Sequence, residues 1–86
     1  MLSSAGDLKR FKQGQVTANG TTPVNVTVRG LQADSYVVLQ TNTISGTPGG
    51  MVLTGKTPAT SSNTNGTLQF TGTAGNTTVF DLYVFT

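Results

Sequence analysis

The side chains that most often move protons or attack electrophiles are almost missing from this chain. Its 86 residues include no His, no Cys and no Glu. That removes the imidazole base, the Ser–His pair and the thiolate nucleophile. Asp7, Asp34 and Asp81 are the only side-chain carboxylates, and they fall in an arm, a turn and a strand. A retaining glycosidase needs two carboxyls about 5 Å apart, which three scattered Asp meet only by coincidence. No D-x-D spacing offers a divalent cation a ligand loop. Gly46-Thr47-Pro48-Gly49-Gly50 is Gly-rich, but no Lys-Ser/Thr follows it and no helix opens from it. It reads as a hairpin loop rather than a phosphate cradle. The expectation is a non-enzyme with no cofactor, no metal and no small-molecule substrate.

One short stretch does concentrate chemistry. Leu8, Lys9, Arg10, Phe11 and Lys12 bring three cations, a ring and an aliphatic anchor together. Cations with an aromatic are the minimum for phosphate contact and base stacking. A nucleic-acid surface also needs a basic face, and the rest of the chain supplies none. Asp7, Lys9, Arg10 and Lys12 leave only Arg29, Asp34, Lys56 and Asp81 for everything that follows. Residues 1–13 therefore read as a basic arm and residues 14–86 as a formally neutral body. Leu8 and Phe11, spaced i, i+3 between Gly6 and Gly14, fit one turn of helix. The arm is expected to lie on its own body or on a protein partner, with no nucleic acid involved.

The elements that would position these residues are strands. Val24, Val26 and Val28 alternate with Asn25, Thr27 and Arg29, a period of two that buries one face and wets the other. Gln15 to Ala18, Tyr36 to Thr41, Met51 to Leu53, Leu68 with Phe70, and Thr78 to Phe85 are the remaining runs. Asn19-Gly20, Gly30, the 45–50 stretch, Asn65-Gly66 and Gly75-Asn76 supply turn chemistry between them. This pattern predicts an all-β fold, a small antiparallel sandwich or barrel of about six strands with an extended N-terminal arm. In the last run Phe80, Leu82 and Val84 form the core face. Val79, Asp81, Tyr83 and Phe85 form the other face, which is also largely apolar. A strand apolar on both sides is either central in the fold or covered by a second subunit.

Composition says what kind of surface surrounds that core. There are 17 Thr, 11 Gly, six Ser and six Asn, while charged residues make up 9% against about 25% in ordinary domains. A surface of hydroxyls and amides repels its neighbours weakly and suits a particle-bound or extracellular β-protein. A chain this short has a thin core, and without Cys it has no disulfide. Oligomerisation or docking on a larger assembly is the support left. The longest apolar stretches fall far short of the ~20 residues of a spanning helix, so no membrane is expected. MLSSAGDLKRFKQG has no apolar h-region, so export by a signal peptide is not expected. The N-x-[ST] triplets at Asn19, Asn25, Asn65 and Asn76 are accordingly read as unglycosylated.

Three stretches carry a likeness to a known family. Thr22-Pro23-Val24-Asn25-Val26-Thr27-Val28-Arg29-Gly30-Leu31 looks like an opening strand and turn, and Gly66-Thr67-Leu68-Gln69-Phe70-Thr71-Gly72 like a late strand. Phe80-Asp81-Leu82-Tyr83-Val84-Phe85 looks like a closing strand. In these stretches the chain resembles the small capsid decoration (cement) proteins of tailed bacteriophages. The resemblance implies a virion structural protein on the outer surface of the head, made in the host cytoplasm. It also implies the major capsid protein as partner and a homo-oligomer, with a trimer favoured. Leu8, Lys9, Arg10, Phe11 and Lys12 of the arm, and Val79, Asp81, Tyr83 and Phe85 of the closing strand, are the candidate contact residues. The rival reading is an adhesive module of a tail fibre or surface appendage, whose loops 42–50 and 57–66 would contact carbohydrate. Against it stand the absence of Trp and the placement of both Tyr inside strands.

Overall fold

A computed structural model describes residues 11–85, with side chains from Gly14 onward. Six strands follow one another: β1 (Phe11–Thr17), β2 (Val24–Arg29), β3 (Tyr36–Thr43), β4 (Val52–Thr57), β5 (Asn65–Thr71) and β6 (Val79–Phe85). No helix occurs among the described residues. The strands form two three-stranded antiparallel sheets, ordered β1-β6-β3 and β2-β5-β4. The fold is the expected all-β sandwich, and its two sheets are separate rather than joined into a barrel.

Period-two patterning sets which side of each strand is buried. Phe80, Leu82 and Val84 of β6 are buried, and Val79, Asp81, Tyr83 and Phe85 alternate with them on the outside. From the facing sheet Val28, Leu68 and Phe70 close on them, with Val16, Ala18 and Leu31 completing the core. Fully burying a side chain of this size stabilises by about 1.5–3 kcal/mol. β6 is the middle strand of its sheet, bonded to β1 on one side and to β3 on the other. Its two apolar faces thus have different reasons: one is core, and the other is the centre of an outward sheet face.

Only β4 and β5 are both consecutive and paired; every other connection crosses from one sheet to the other. Successive strands therefore run in alternating directions, and the loops gather at two ends. At one end lie the start of β1, the end of β6, and the loops 30–35 and 58–64. There Ala59 N donates to Leu31 O at 2.8 Å and Gly30 N to Thr64 O at 2.9 Å. At the other end the loops 18–23, 44–51 and 72–78 gather around Asn76, which is fully buried. Asn76 donates from Nδ2 to Gly49 O at 3.0 Å, and its Oδ1 accepts from Thr78 N at 3.0 Å. Its backbone carbonyl accepts from Gly20 N at 2.9 Å.

Four expectations change. The 46–50 stretch is not a hairpin loop, because β3 and β4 on either side of it belong to different sheets. Asn65-Gly66 is not a turn but the start of β5, paired with Arg29 and Val28. Gly is required there by close packing: a Cβ on Gly66 would stand 2.5 Å from Leu31 Cβ and 2.8 Å from Thr57 O. The first strand begins at Phe11 rather than Gln15, so the boundary drawn at residue 13 falls inside β1. A helical turn through Phe11 is accordingly replaced by strand, because its backbone pairs with Phe85. Leu8, Lys9 and Arg10 lie outside the described residues.

Candidate partner-binding face

The outer face of the β1-β6-β3 sheet is ordered in rows by the strand register. Phe11, Phe85 and Tyr36 share the row at the end where β6 finishes; Gln13, Tyr83 and Val38 form the next. Gln15, Asp81 and Gln40 follow, and Thr17, Val79 and Thr43 complete the face. Directly paired residues lie on the same side of a sheet, with side chains about 4.5–5.5 Å apart at Cβ. Four large groups, Tyr36, Val38, Tyr83 and Phe85, are thus contiguous on two neighbouring strands.

Exposure within this group is uneven. Tyr36 is 67% exposed and Val38 47% exposed, while Tyr83 and Phe85 are partly buried. Single exposed apolar residues are ordinary, whereas a contiguous aromatic patch on a sheet face marks a contact surface. The patch ends at a polar row. Asn42 donates from Nδ2 to Asp81 Oδ1 at 3.1 Å and to Oδ2 at 3.2 Å, and Gln15 Nε2 reaches Asp81 Oδ1 at 3.3 Å. Asn42 reaches Asp81 because β3 is bulged between Thr41 and Thr43. Held between two amides, this carboxylate marks the polar border of the patch.

The opposite outer face is different in kind. Thr27, Thr67 and Thr57 form one row across β2, β5 and β4, with Asn25, Gln69 and Gly55 beside it. Thr54 Oγ1 lies 3.0 Å from Thr71 Oγ1 and 3.3 Å from Gln69 Oε1. Those hydroxyls and amides are partly satisfied by one another, and the face carries no aromatic side chain. The two sides of the sandwich therefore have opposite affinities: one apolar and aromatic over half its length, one polar throughout apart from Val52 at its margin.

The structure brings Val79, Asp81, Tyr83 and Phe85 together on one face, as their alternation requires. It places Phe11 at the same row as Phe85, and Lys12 opposite Val84. Tyr36 and Val38 join the site although the sequence reading did not single them out. The signal was present in Tyr36-Val37-Val38-Leu39, which is apolar at both parities, as β6 is. Asp34, in the turn before β3, and Asp81, in mid-sheet, belong to different parts of the fold. Compared with known protein families, with curated proteins and with solved structures, the chain matches none.

Proposed function

We propose that this chain is a virion structural protein, a capsid decoration subunit that lies on the outside of a phage head and clamps neighbouring major capsid proteins. The observation that carries this reading is the asymmetry of the two outer faces. A clamp needs one side that prefers protein to water and one that prefers water to protein. The Tyr36–Val38–Tyr83–Phe85 patch is the first, and the Thr/Asn/Gln face of β2-β5-β4 is the second. β1 begins at the row of that patch, and the cations Lys9 and Arg10 precede it in the sequence. Aromatic residues in the centre of such contacts carry most of the affinity, with exposed charge pairs adding only about 0.2–1 kcal/mol each.

The test is co-sedimentation of the purified chain with undecorated heads, at low and high salt, with Tyr36→Lys beside the natural sequence. Saturation at many copies over the shell, lost in the variant, supports the clamp. Absence of binding to any head, with the fold intact, removes it.

One observation favours the adhesive reading: Tyr36, 67% exposed on a sheet face, is a ring available for stacking on a sugar. Another weakens it. Loops 44–51 and 58–64, the cores of its two proposed contact loops, lie at opposite ends of the sandwich and cannot line one site. A glycan screen in which Tyr36→Ala abolishes binding would favour it over the clamp.

A further inference from the structure

The four rows on the outer face of the β1-β6-β3 sheet contain one charged residue, Asp81, and it stands on the middle strand. Asp is depleted in strands, and its neighbours on the same side of β6 are Val79, Tyr83 and Phe85. Residues that break a local rule in this way concentrate at functional positions. The bonds made by Asp81 come from amides. Asn42 Nδ2 donates to Oδ1 at 3.1 Å and to Oδ2 at 3.2 Å, and Gln15 Nε2 donates to Oδ1 at 3.3 Å. No cation among the described residues is bonded to it. The amides orient the carboxylate and leave its charge uncompensated.

A second irregularity serves the same spot. β3 is bulged between Thr41 and Thr43, and bulges re-aim side chains beside functional sites. The extra residue is Asn42, whose amide reaches Asp81 for that reason. Thr43 Oγ1 donates in turn to Asn42 Oδ1 at 2.7 Å, which keeps the Nδ2 end toward the carboxylate. Side chains from both flanking strands thus present one anion beside the aromatic patch.

A carboxylate has about four acceptor positions. Oδ1 receives two N–H groups and Oδ2 one, so one position on Oδ2 is left. The fork of an arginine needs both oxygens, whereas an ammonium needs one. We infer that Asp81 receives a lysine ammonium of the protein partner, whose apolar side chains seat on the patch beside it. This rests on the clamp reading and supplies the chemistry of the other side. Val38, 47% exposed, and Tyr83 form the adjacent row, about 7 Å along the strands. The lysine stem can lie there while its head reaches the carboxylate. Tyr36, 67% exposed, stands about 14 Å from the Asp81 row. The matching surface therefore carries a lysine at one end and apolar groups over the rest of that length. Once the partner covers the pair, the loss of water strengthens it beyond an exposed one.

The test uses undecorated heads, co-sedimented before and after acetylation of their surface lysines, which removes the charge. Asp81→Asn keeps the shape of the side chain and removes its charge. It should bind unmodified heads at least about fivefold more weakly than the natural chain, with the β-type circular dichroism spectrum kept. Acetylation should weaken the natural chain by a similar factor and leave Asp81→Asn unchanged, because both changes remove the same interaction. The acetylation arm needs no variant, so it stays decisive if Asp81→Asn folds poorly. If Asp81→Asn binds like the natural chain while Tyr36→Lys does not bind, the lysine contact is overturned and the clamp stands. A natural chain indifferent to acetylation overturns the contact too. A natural chain that binds no head removes the clamp, and this contact with it.

Discussion

A lysine means different things at Tyr36, Tyr83 and Leu82, although all three lie on neighbouring strands of one sheet. Tyr36 is 67% exposed, so Tyr36→Lys should change stability by no more than about 0.5 kcal/mol and still cut partner binding by tenfold or more. Tyr83 is partly buried on the outer face, where a lysine can lay its stem on the sheet and lift its ammonium into water. Tyr83→Lys should keep the β spectrum and cost about 1 kcal/mol. Leu82→Lys, at a position 3% exposed in the core, places an unpaired charge inside and should unfold the domain. Thermal melts of the three variants check the order. Asn76→Ala is the most damaging polar change expected. It strands Thr78 N and Gly49 O, which Asn76 now satisfies, at a cost of about 2–4 kcal/mol. The core face of β6 could be read from the sequence because alternation is a local signal. The role of Asn76 could not, since the carbonyls that accept from its Nδ2 come from a loop 26 and 27 residues away.

Among the elements, β5 tests how tightly the sheets are fitted. Gly66→Ala pushes a methyl into Leu31 and the carbonyl of Thr57, and should lower stability by about 1–3 kcal/mol, measurable by urea titration. The dipeptide Asn65-Gly66 carries the sequence signal of a tight hairpin. Here glycine serves a close approach instead, and no local pattern separates those two uses. The Gly46–Gly50 stretch misleads in a related way: turn residues announce that the chain bends, but not whether it returns to the same sheet. β1 shows the opposite error. Phe11-Lys12-Gln13 lacks the alternation of a strand and becomes one because β6 offers it an edge along its whole length. Deleting residues 2–10 should therefore leave the melting temperature within a few degrees of the full chain. Deleting 2–12 removes the Phe11–Phe85 and Lys12–Val84 pairings and should lower it further. If the arm supports attachment, both deletions should weaken head binding, more at low salt than at high salt.

For the molecule as a whole, the far-UV circular dichroism spectrum should be β-type, without the paired helical minima. The order of the strands has a further consequence, for synthesis. β2, β4 and β5 can assemble once Thr71 has been made, but β1 and β3 touch no partner strand until β6 arrives between them. β6 also brings Phe80, Leu82 and Val84, a third of the buried apolar cluster. A nascent chain thus carries an incomplete core until the ribosome has passed Phe85, and pairings this distant in sequence form slowly. A product cut short before β6 has half a sandwich and no centre to the sheet that bears the aromatic patch. The same seven residues therefore close the core and complete the sheet that bears the aromatic patch.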